Sequence, residues 1–155
     1  MVLNLMQKSI GLNCVKDCII LPFATGMSLT ISLQTLKSEC DKTPEGKLRE
    51  YVLFPRIDQK TCLKSIYTAN LIPIVIEPVL EGDELRTNLK GIEEVLNDPK
   101  YKGKILGVQT TTSCFAPRAY DSVVEVAKLC KKYNIHHIIN SAYGLQCSKI
   151  ASDIV

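Results

Sequence analysis

The sequence predicts an α/β domain, a mostly parallel β-sheet with helices on both faces. Three observations lead there. Short apolar runs alternate along the chain with stretches of helical period, the pattern of successive βαβ units. The runs are apolar nearly throughout, as strands buried on both faces are, and do not alternate with polar residues. Finally, four of the runs end in polar clusters, and in open parallel sheets ligands gather beyond the carboxyl ends of the strands.

Composition narrows the class. A chain of 155 residues can bury one real core and not two. With 46% hydrophobic and 23% charged residues it is neither disordered nor membrane-spanning, and no apolar run is long enough to cross a bilayer. The first residues lack a signal-peptide cleavage pattern, so a cytoplasmic location is expected. A net charge of +3 is too small and too dispersed to imply nucleic-acid binding on its own. The seven cysteines are odd in number and contain no C-x-x-C pair, which argues against a disulfide framework and against a zinc site. They read as reduced core or near-core residues.

Taken in order, residues 1–10 are weakly helical, with Val2, Leu3, Leu5 and Met6 on one apolar side. From Cys18 to Leu36 an unbroken apolar run gives way to a helical period, with Ala24-Thr25-Gly26 at the changeover. That is a strand feeding a helix across a small-residue turn, and free N–H groups with the positive helix end make the turn a candidate anion cradle. Ser38 to Arg49, with Pro44 and Gly46, reads as an exposed loop. A second strand, Tyr51–Phe54, ends at Pro55-Arg56. The following stretch, Gln59–Asn70, sets Cys62, Leu63, Ile66 and Tyr67 on one helical face, and Asn70 suits a left-handed C-terminal cap.

The third strand is Pro73–Glu77, followed by an acidic loop through Glu81, Asp83 and Glu84. Thr87 can cap a helix whose Leu89, Ile92 and Leu96 face inward. Ile105–Val108 is the fourth strand and opens into Gln109-Thr-Thr-Thr-Ser113. Asp121 can cap the clearest helix, with Val123, Val126, Ala127 and Cys130 at i, i+3, i+4 and i+7. His137–Ile139 is the fifth strand and ends at Asn140-Ser-Ala-Tyr-Gly144.

Four polar clusters therefore fall at strand ends: Ala24-Thr25-Gly26, Arg56-Ile-Asp-Gln59, Thr110–Ser113 and Asn140. Singly each is a turn or a helix cap; together they suit a phosphorylated planar cofactor whose phosphate is cradled and whose ring is contacted by side chains. Other chemistries find less support. The adjacent His136 and His137 point opposite ways on a strand, which does not make a catalytic pair. The acidic loop lacks an EF-hand pattern, and no complete P-loop or G-x-G-x-x-G is present.

Longer motifs are more specific. Pro55-Arg-Ile-Asp-Gln-Lys60, Leu80-Glu-Gly-Asp-Glu-Leu-Arg-Thr87 and Thr111-Thr-Ser-Cys-Phe-Ala-Pro-Arg118 closely resemble the O-phosphoseryl-tRNA(Sec) selenium transferases, the selenocysteine synthases of archaea and eukaryotes. Pro22–Leu29 and Asn140–Gly144 extend the resemblance to nearly the whole chain. It implies part of the large domain of a fold-type-I, pyridoxal-phosphate-dependent transferase. Such enzymes eliminate phosphate from phosphoseryl-tRNA(Sec), leaving a dehydroalanyl group, and add selenium from selenophosphate. By the same resemblance Ala24, Thr25 and Gly26 hold the phosphate of pyridoxal 5'-phosphate, Gln59 contacts its ring, and Asn140 lies near the pyridine nitrogen. Arg56, Lys60, Ser113 and Arg118 lie in matched motifs without an assigned role; for Arg118 a local cap or ion pair is the plain alternative.

The family's Schiff-base lysine lies downstream of the Asn140–Gly144 motif, and Lys149 follows Asn140 too soon to substitute. Residues 1–155 are thus expected to form a partial large domain, without the N-terminal oligomerisation region, the lysine segment and the C-terminal domain with its tRNA contacts. No catalytic residue and no metal site is assigned, and the chain alone should be inactive. The family's homotetramer, its tRNA partner and its cytoplasmic setting are carried over as expectations. The rival reading is a non-catalytic remnant or interaction protein that keeps the fold. A different fold-type-I enzyme, such as a cysteine-desulfurase relative, is disfavoured by the Arg-Ile-Asp-Gln-Lys and Glu-Gly-Asp-Glu-Leu-Arg-Thr motifs.

Overall fold

The computed structural model describes residues 19–112 and 115–154. Helix α1 (Thr25–Cys40) and the single turn α2 (Pro44–Lys47) precede strand β1 (Tyr51–Pro55). Next come α3 (Lys60–Thr68), β2 (Ile72–Ile76), and the hairpin of β3 (Val79–Glu81) with β4 (Glu84–Arg86). The chain continues through α4 (Leu89–Asn97), β5 (Ile105–Thr111), α5 (Val123–Tyr133) and β6 (His136–Asn140) to a 3-10 turn at Gly144–Gln146 and α6 (Ser148–Ile154).

Four strands form one parallel sheet in the order β2-β1-β5-β6. From β1 the chain crosses to β2 on one side, and β5 then joins β1 on the other. The strand order reverses between β1 and β5, so the crevice beyond their carboxyl ends is the place where an open parallel sheet binds ligands. In-register pairing brings Thr111 of β5 opposite Asn140 of β6, which puts two polar strand ends at that edge.

Side-chain alternation explains why helices cover both faces. Val52 and Phe54 of β1 pack with Leu29 and Leu33 of α1 and with Cys62 and Ile66 of α3. Leu53, between them in sequence, faces the other way into Ile92 and Leu96 of α4 and Val126 and Cys130 of α5. Leu33, Leu53 and Ile66 are fully buried, each contributing about 1.5–3 kcal/mol of hydrophobic stabilisation. Burial also pushes the Cys130 thiol up to about 11, so it packs here as a small neutral hydrophobe.

Several expectations are corrected. The apolar run 19–23 is no strand: Ile19 is 79% and Phe23 50% exposed, and no sheet partner lies beside the run among the described residues. Pro22 withholds one ladder donor there. The stretch 38–49 is largely helical, because Lys37 pairs with Asp41 at 2.6 Å and the Thr43 hydroxyl caps α2 by accepting from the Gly46 N–H at 3.1 Å. The acidic loop is the tip of the β3–β4 hairpin. Tyr67 and Ala127 turn outward from their helices, Tyr67 being 61% exposed. Asn88, not Thr87, caps α4 by accepting from the Gly91 N–H at 2.8 Å, and Ser122, not Asp121, holds the N-cap position of α5. Thr87 and Asp121 bond to each other instead. Asn70 does take the left-handed cap, at φ 60°. The helix expected at residues 1–10 lies outside the described residues.

The two histidines do point to opposite faces. His136 Nε2 lies 3.4 Å from the Cys40 thiol, and His137 Nε2 lies 2.8 Å from the Thr110 hydroxyl. Burial lowers His137 from its ordinary 6.5 to about 4, so the folded chain holds it neutral. Between those values the unfolded chain binds the extra proton. Stability is therefore full above about pH 6.5 and declines as pH falls toward 4. The urea midpoint should follow that course, and His137→Asn should flatten it.

Candidate functional site

The site is built where two helices begin. Beyond β1 the chain runs through Arg56 and Asp58 to Gln59, the extended N-cap residue of α3. Ala24 is the extended N-cap residue of α1, at φ −68° and ψ 158°. Neither helix has a side-chain cap or an acidic residue in its first turn. The opening N–H groups of any α-helix lack intrahelical acceptors, so both ends remain electropositive.

Glycine lets these ends meet. A Cβ on Gly26 would stand 2.3 Å from Thr61 Cγ2, in the first turn of α3. One turn later the Thr30 hydroxyl lies within bonding distance of two carbonyls, 2.9 Å from Gly26 O in its own helix and 3.4 Å from Ser65 O in α3. Thr25 is exposed and Gly26 half-buried, so the joined ends open to solvent.

Behind them lies a neutral polar layer centred on Cys62. Its backbone carbonyl accepts from Gln109 Nε2 at 3.0 Å and from the Ser65 hydroxyl at 2.7 Å. Its sulfur accepts from Asn140 Nδ2 at 3.2 Å, and its thiol donates to Gln59 Oε1 at 3.6 Å. Burial pushes the Cys62 thiol up, against the smaller lowering effect of Asn140, so the group stays protonated at neutral pH. Asn140 is buried at the end of β6, its carbonyl accepting from the Thr112 N–H at 3.0 Å and the Thr111 hydroxyl at 3.3 Å.

A second network holds the loops around this edge. Arg118 donates to Asp121 Oδ1 at 2.8 Å, to the Arg56 carbonyl at 2.7 Å and to the Ala119 carbonyl at 2.8 Å. Asp121 is fully buried, and it also accepts from the Thr87 hydroxyl at 2.7 Å and the Thr111 N–H at 2.8 Å. Arg118 therefore ties the loop after β1 to the loop after β5.

The structure thus gathers Gly26, Gln59 and Asn140 through Thr61 and Cys62, with Ala24 and Thr25 on the adjoining turn. Arg56 instead forms an exposed pair with Glu77 at 3.3 Å. Lys60 is exposed at the first position of α3, and Ser113 lies outside the described residues. Sequence reasoning missed Thr61, Cys62 as a polar centre, and Gln109. Gln109 carried a usable signal: an amide directly after the apolar run Ile105–Val108, continuing a strand buried on both faces, must find partners. Its Nε2 has one, while its Oε1 has none among the described residues. The arrangement can seat an anion at paired helix ends, with the half-buried Gln59 and the buried amide of Asn140 behind it.

The chain resembles known proteins in sequence and in fold. The family model for O-phosphoseryl-tRNA(Sec) selenium transferase matches residues 1–155. The transferase of Dictyostelium discoideum is 53% identical over 140 residues, covering 90% of this chain and 28% of that protein. An archaeal O-phosphoseryl-tRNA(Sec) selenium transferase crystal structure superposes with a TM-score of 0.72 at 30% identity, over 86% of this chain and 29% of that one. The glutamate decarboxylase domain of a Vibrio parahaemolyticus enzyme superposes at 0.70 with 17% identity, over 98% of this chain and 38% of that chain, a likeness of α/β fold alone. The chain spans under a third of the length of its curated relatives. With all its residues matched by the family model and its parallel sheet shared with the archaeal structure, the chain belongs to the O-phosphoseryl-tRNA(Sec) selenium transferase family.

Proposed function

We propose that this stretch forms the cofactor seat of a pyridoxal-phosphate-dependent transferase of selenocysteine biosynthesis, acting on phosphoseryl-tRNA(Sec) with selenophosphate as selenium donor. The observation that carries the reading is the pair of uncapped helix N-termini joined at Gly26 and Thr61, beside the buried amide of Asn140. The residues fit the group: a dianionic phosphate suits the N–H groups of Thr25 and Gly26, and a Cβ at Gly26 would fill the contact that aligns the two helices. When bound, pyridoxal phosphate supplies the electron sink for loss of phosphate from the phosphoseryl group and for addition of selenium.

The chain's own residues bind and orient. The first turn of α1 would hold the phosphate, and Gln59 and Asn140 would be the side chains that meet the ring, Asn140 on the side of the pyridine nitrogen. An amide carries no charge, so Asn140 cannot hold a proton on that nitrogen as a carboxylate would. The electron sink would be correspondingly weaker, which a reaction whose leaving group, phosphate, departs readily can tolerate. The lysine that anchors the cofactor is assigned to a segment outside this stretch, as are the tRNA contacts and the helices that build a homotetramer. We assign the enzyme to the cytoplasm; no helix among the described residues is long and apolar enough to cross a membrane.

Binding measurements on the complete gene product test the seat. Pyridoxal 5'-phosphate should bind, and pyridoxal without its phosphate should bind at least about tenfold more weakly, since charge-assisted contacts to the phosphate are lost. Equal affinity for the two would remove the phosphate role from the Ala24-Thr25-Gly26 turn. No binding of either would favour the rival reading, a fold-retaining protein without the chemistry.

A further inference from the structure

Cys62 makes two contacts that its place on an apolar helix face does not require. Its sulfur receives a bond from Asn140 Nδ2 at 3.2 Å, and its thiol donates to Gln59 Oε1 at 3.6 Å. Gln59 is at the N-cap position of α3 yet makes no cap bond, so its side chain is turned from the usual task of that position toward the thiol. Asn140 ends β6 and Gln59 precedes α3, so the two amides that meet at this sulfur come from elements far apart in sequence. A second pair of bonds, from Gln109 Nε2 and the Ser65 hydroxyl, holds the Cys62 carbonyl, so the sulfur that joins the amides is itself fixed in place.

We propose that Cys62 is a positioning residue of the transferase: its thiol, bonded to Gln59 and Asn140 together, sets the orientation of the two side chains that meet the cofactor ring. This rests on the cofactor seat proposed above. A primary amide can rotate by half a turn and exchange its oxygen for its nitrogen at the same position. The thiol breaks that symmetry. Accepting from Asn140 Nδ2 keeps the Asn140 nitrogen on the sulfur side and its oxygen away from it. Donating to Gln59 Oε1 does the converse for Gln59, leaving the Gln59 NH2 group available to other acceptors. Both bonds need a group that accepts and donates at once. Cys supplies this in a nearly apolar volume; Ser can supply it at shorter reach; Ala and Val cannot.

The test uses the complete gene product with pyridoxal 5'-phosphate as the probe, and three variants: Cys62→Ala, Cys62→Val and Cys62→Ser. In Cys62→Ala and Cys62→Val the dissociation constant should rise about fivefold to tenfold, the scale of one or two weak hydrogen bonds. The induced circular dichroism of the bound cofactor should fall as well, because the ring loses its fixed setting. Cys62→Ser should restore both, and Cys62→Val, which refills the volume, should not. Side-chain amide signals of Asn140 and Gln59 in the unloaded protein should exchange faster with solvent in Cys62→Ala than in the wild type or Cys62→Ser. If Cys62→Val matches the wild type in affinity and dichroism, the thiol is packing only and the proposal falls. If the wild type itself binds no pyridoxal phosphate, the cofactor seat fails, and the proposal fails with it.

Discussion

Asp121→Ala should destabilise the protein by about 3–5 kcal/mol, read as a shift in the urea unfolding midpoint, because it removes one half of a buried ion pair. Asp121 has no exposed surface, and the Arg118 side chain is 8% exposed. Four donors converge on or around this pair: Arg118, the Thr87 hydroxyl and the Thr111 N–H bond the carboxylate, and the Ser122 N–H bonds the Thr87 hydroxyl at 3.1 Å. Alanine leaves a guanidinium, a hydroxyl and a backbone N–H without that acceptor, and stranding the cation is the largest part of the cost. Asp121→Asn should cost less, since its oxygen can still accept from the Thr111 N–H. Adding Arg118→Met to Asp121→Ala should recover part of the loss by removing the stranded charge. A change below about 1 kcal/mol in Asp121→Ala would mean that water reaches the carboxylate.

This network shows what can and cannot be read from the sequence. The alternation of apolar runs with helical periods sufficed for the parallel sheet and for helices on both faces, because burial on two sides leaves a compositional trace. It misled at residues 19–23, whose apolar side chains resemble those of Tyr51–Phe54 but find no neighbouring strand among the described residues. Thr87 and Asp121 both look like caps, since short polar side chains before a helix usually bond its first N–H groups. Their actual partners are 34 residues apart in sequence, and no local pattern encodes such a pairing. The candidate site divides the same way. Gln59 and Asn140 were marked by strand ends and motifs, and Ala24, Thr25 and Gly26 by a motif and a small-residue turn whose expected strand is absent among the described residues. Cys62 was hidden in an apolar helix face, and Gln109, though visible as the first polar residue after an apolar run, gave no sign of its partner, because both bond to other elements.

Gly107→Ala should be as damaging, with a loss of about 3 kcal/mol or more in unfolding free energy, although it adds one methyl group. A Cβ at residue 107 would stand 2.4 Å from the His136 carbonyl oxygen and 3.0 Å from its carbonyl carbon. These are backbone atoms of the neighbouring strand, paired in register with Gly107, so no side-chain rotation can relieve the contact. Gly103→Ala separates space from backbone conformation. Gly103 has φ +74° with nothing within 4 Å of its Cβ position, so alanine there pays only the left-handed conformation, about 1–2 kcal/mol. The two variants should also differ at the site. Forcing β5 from β6 disturbs the pairing that carries Thr111 and Asn140 at the other end of the same ladder, so Gly107→Ala should weaken pyridoxal 5'-phosphate binding along with stability. Gly103 precedes β5 at the end of the sheet away from Asn140, and its variant should bind as the wild type does. Equal stability losses in the two would show that the β5–β6 ladder can shift to admit a methyl group, and equal binding losses would show that the seat depends on overall stability instead of on that ladder.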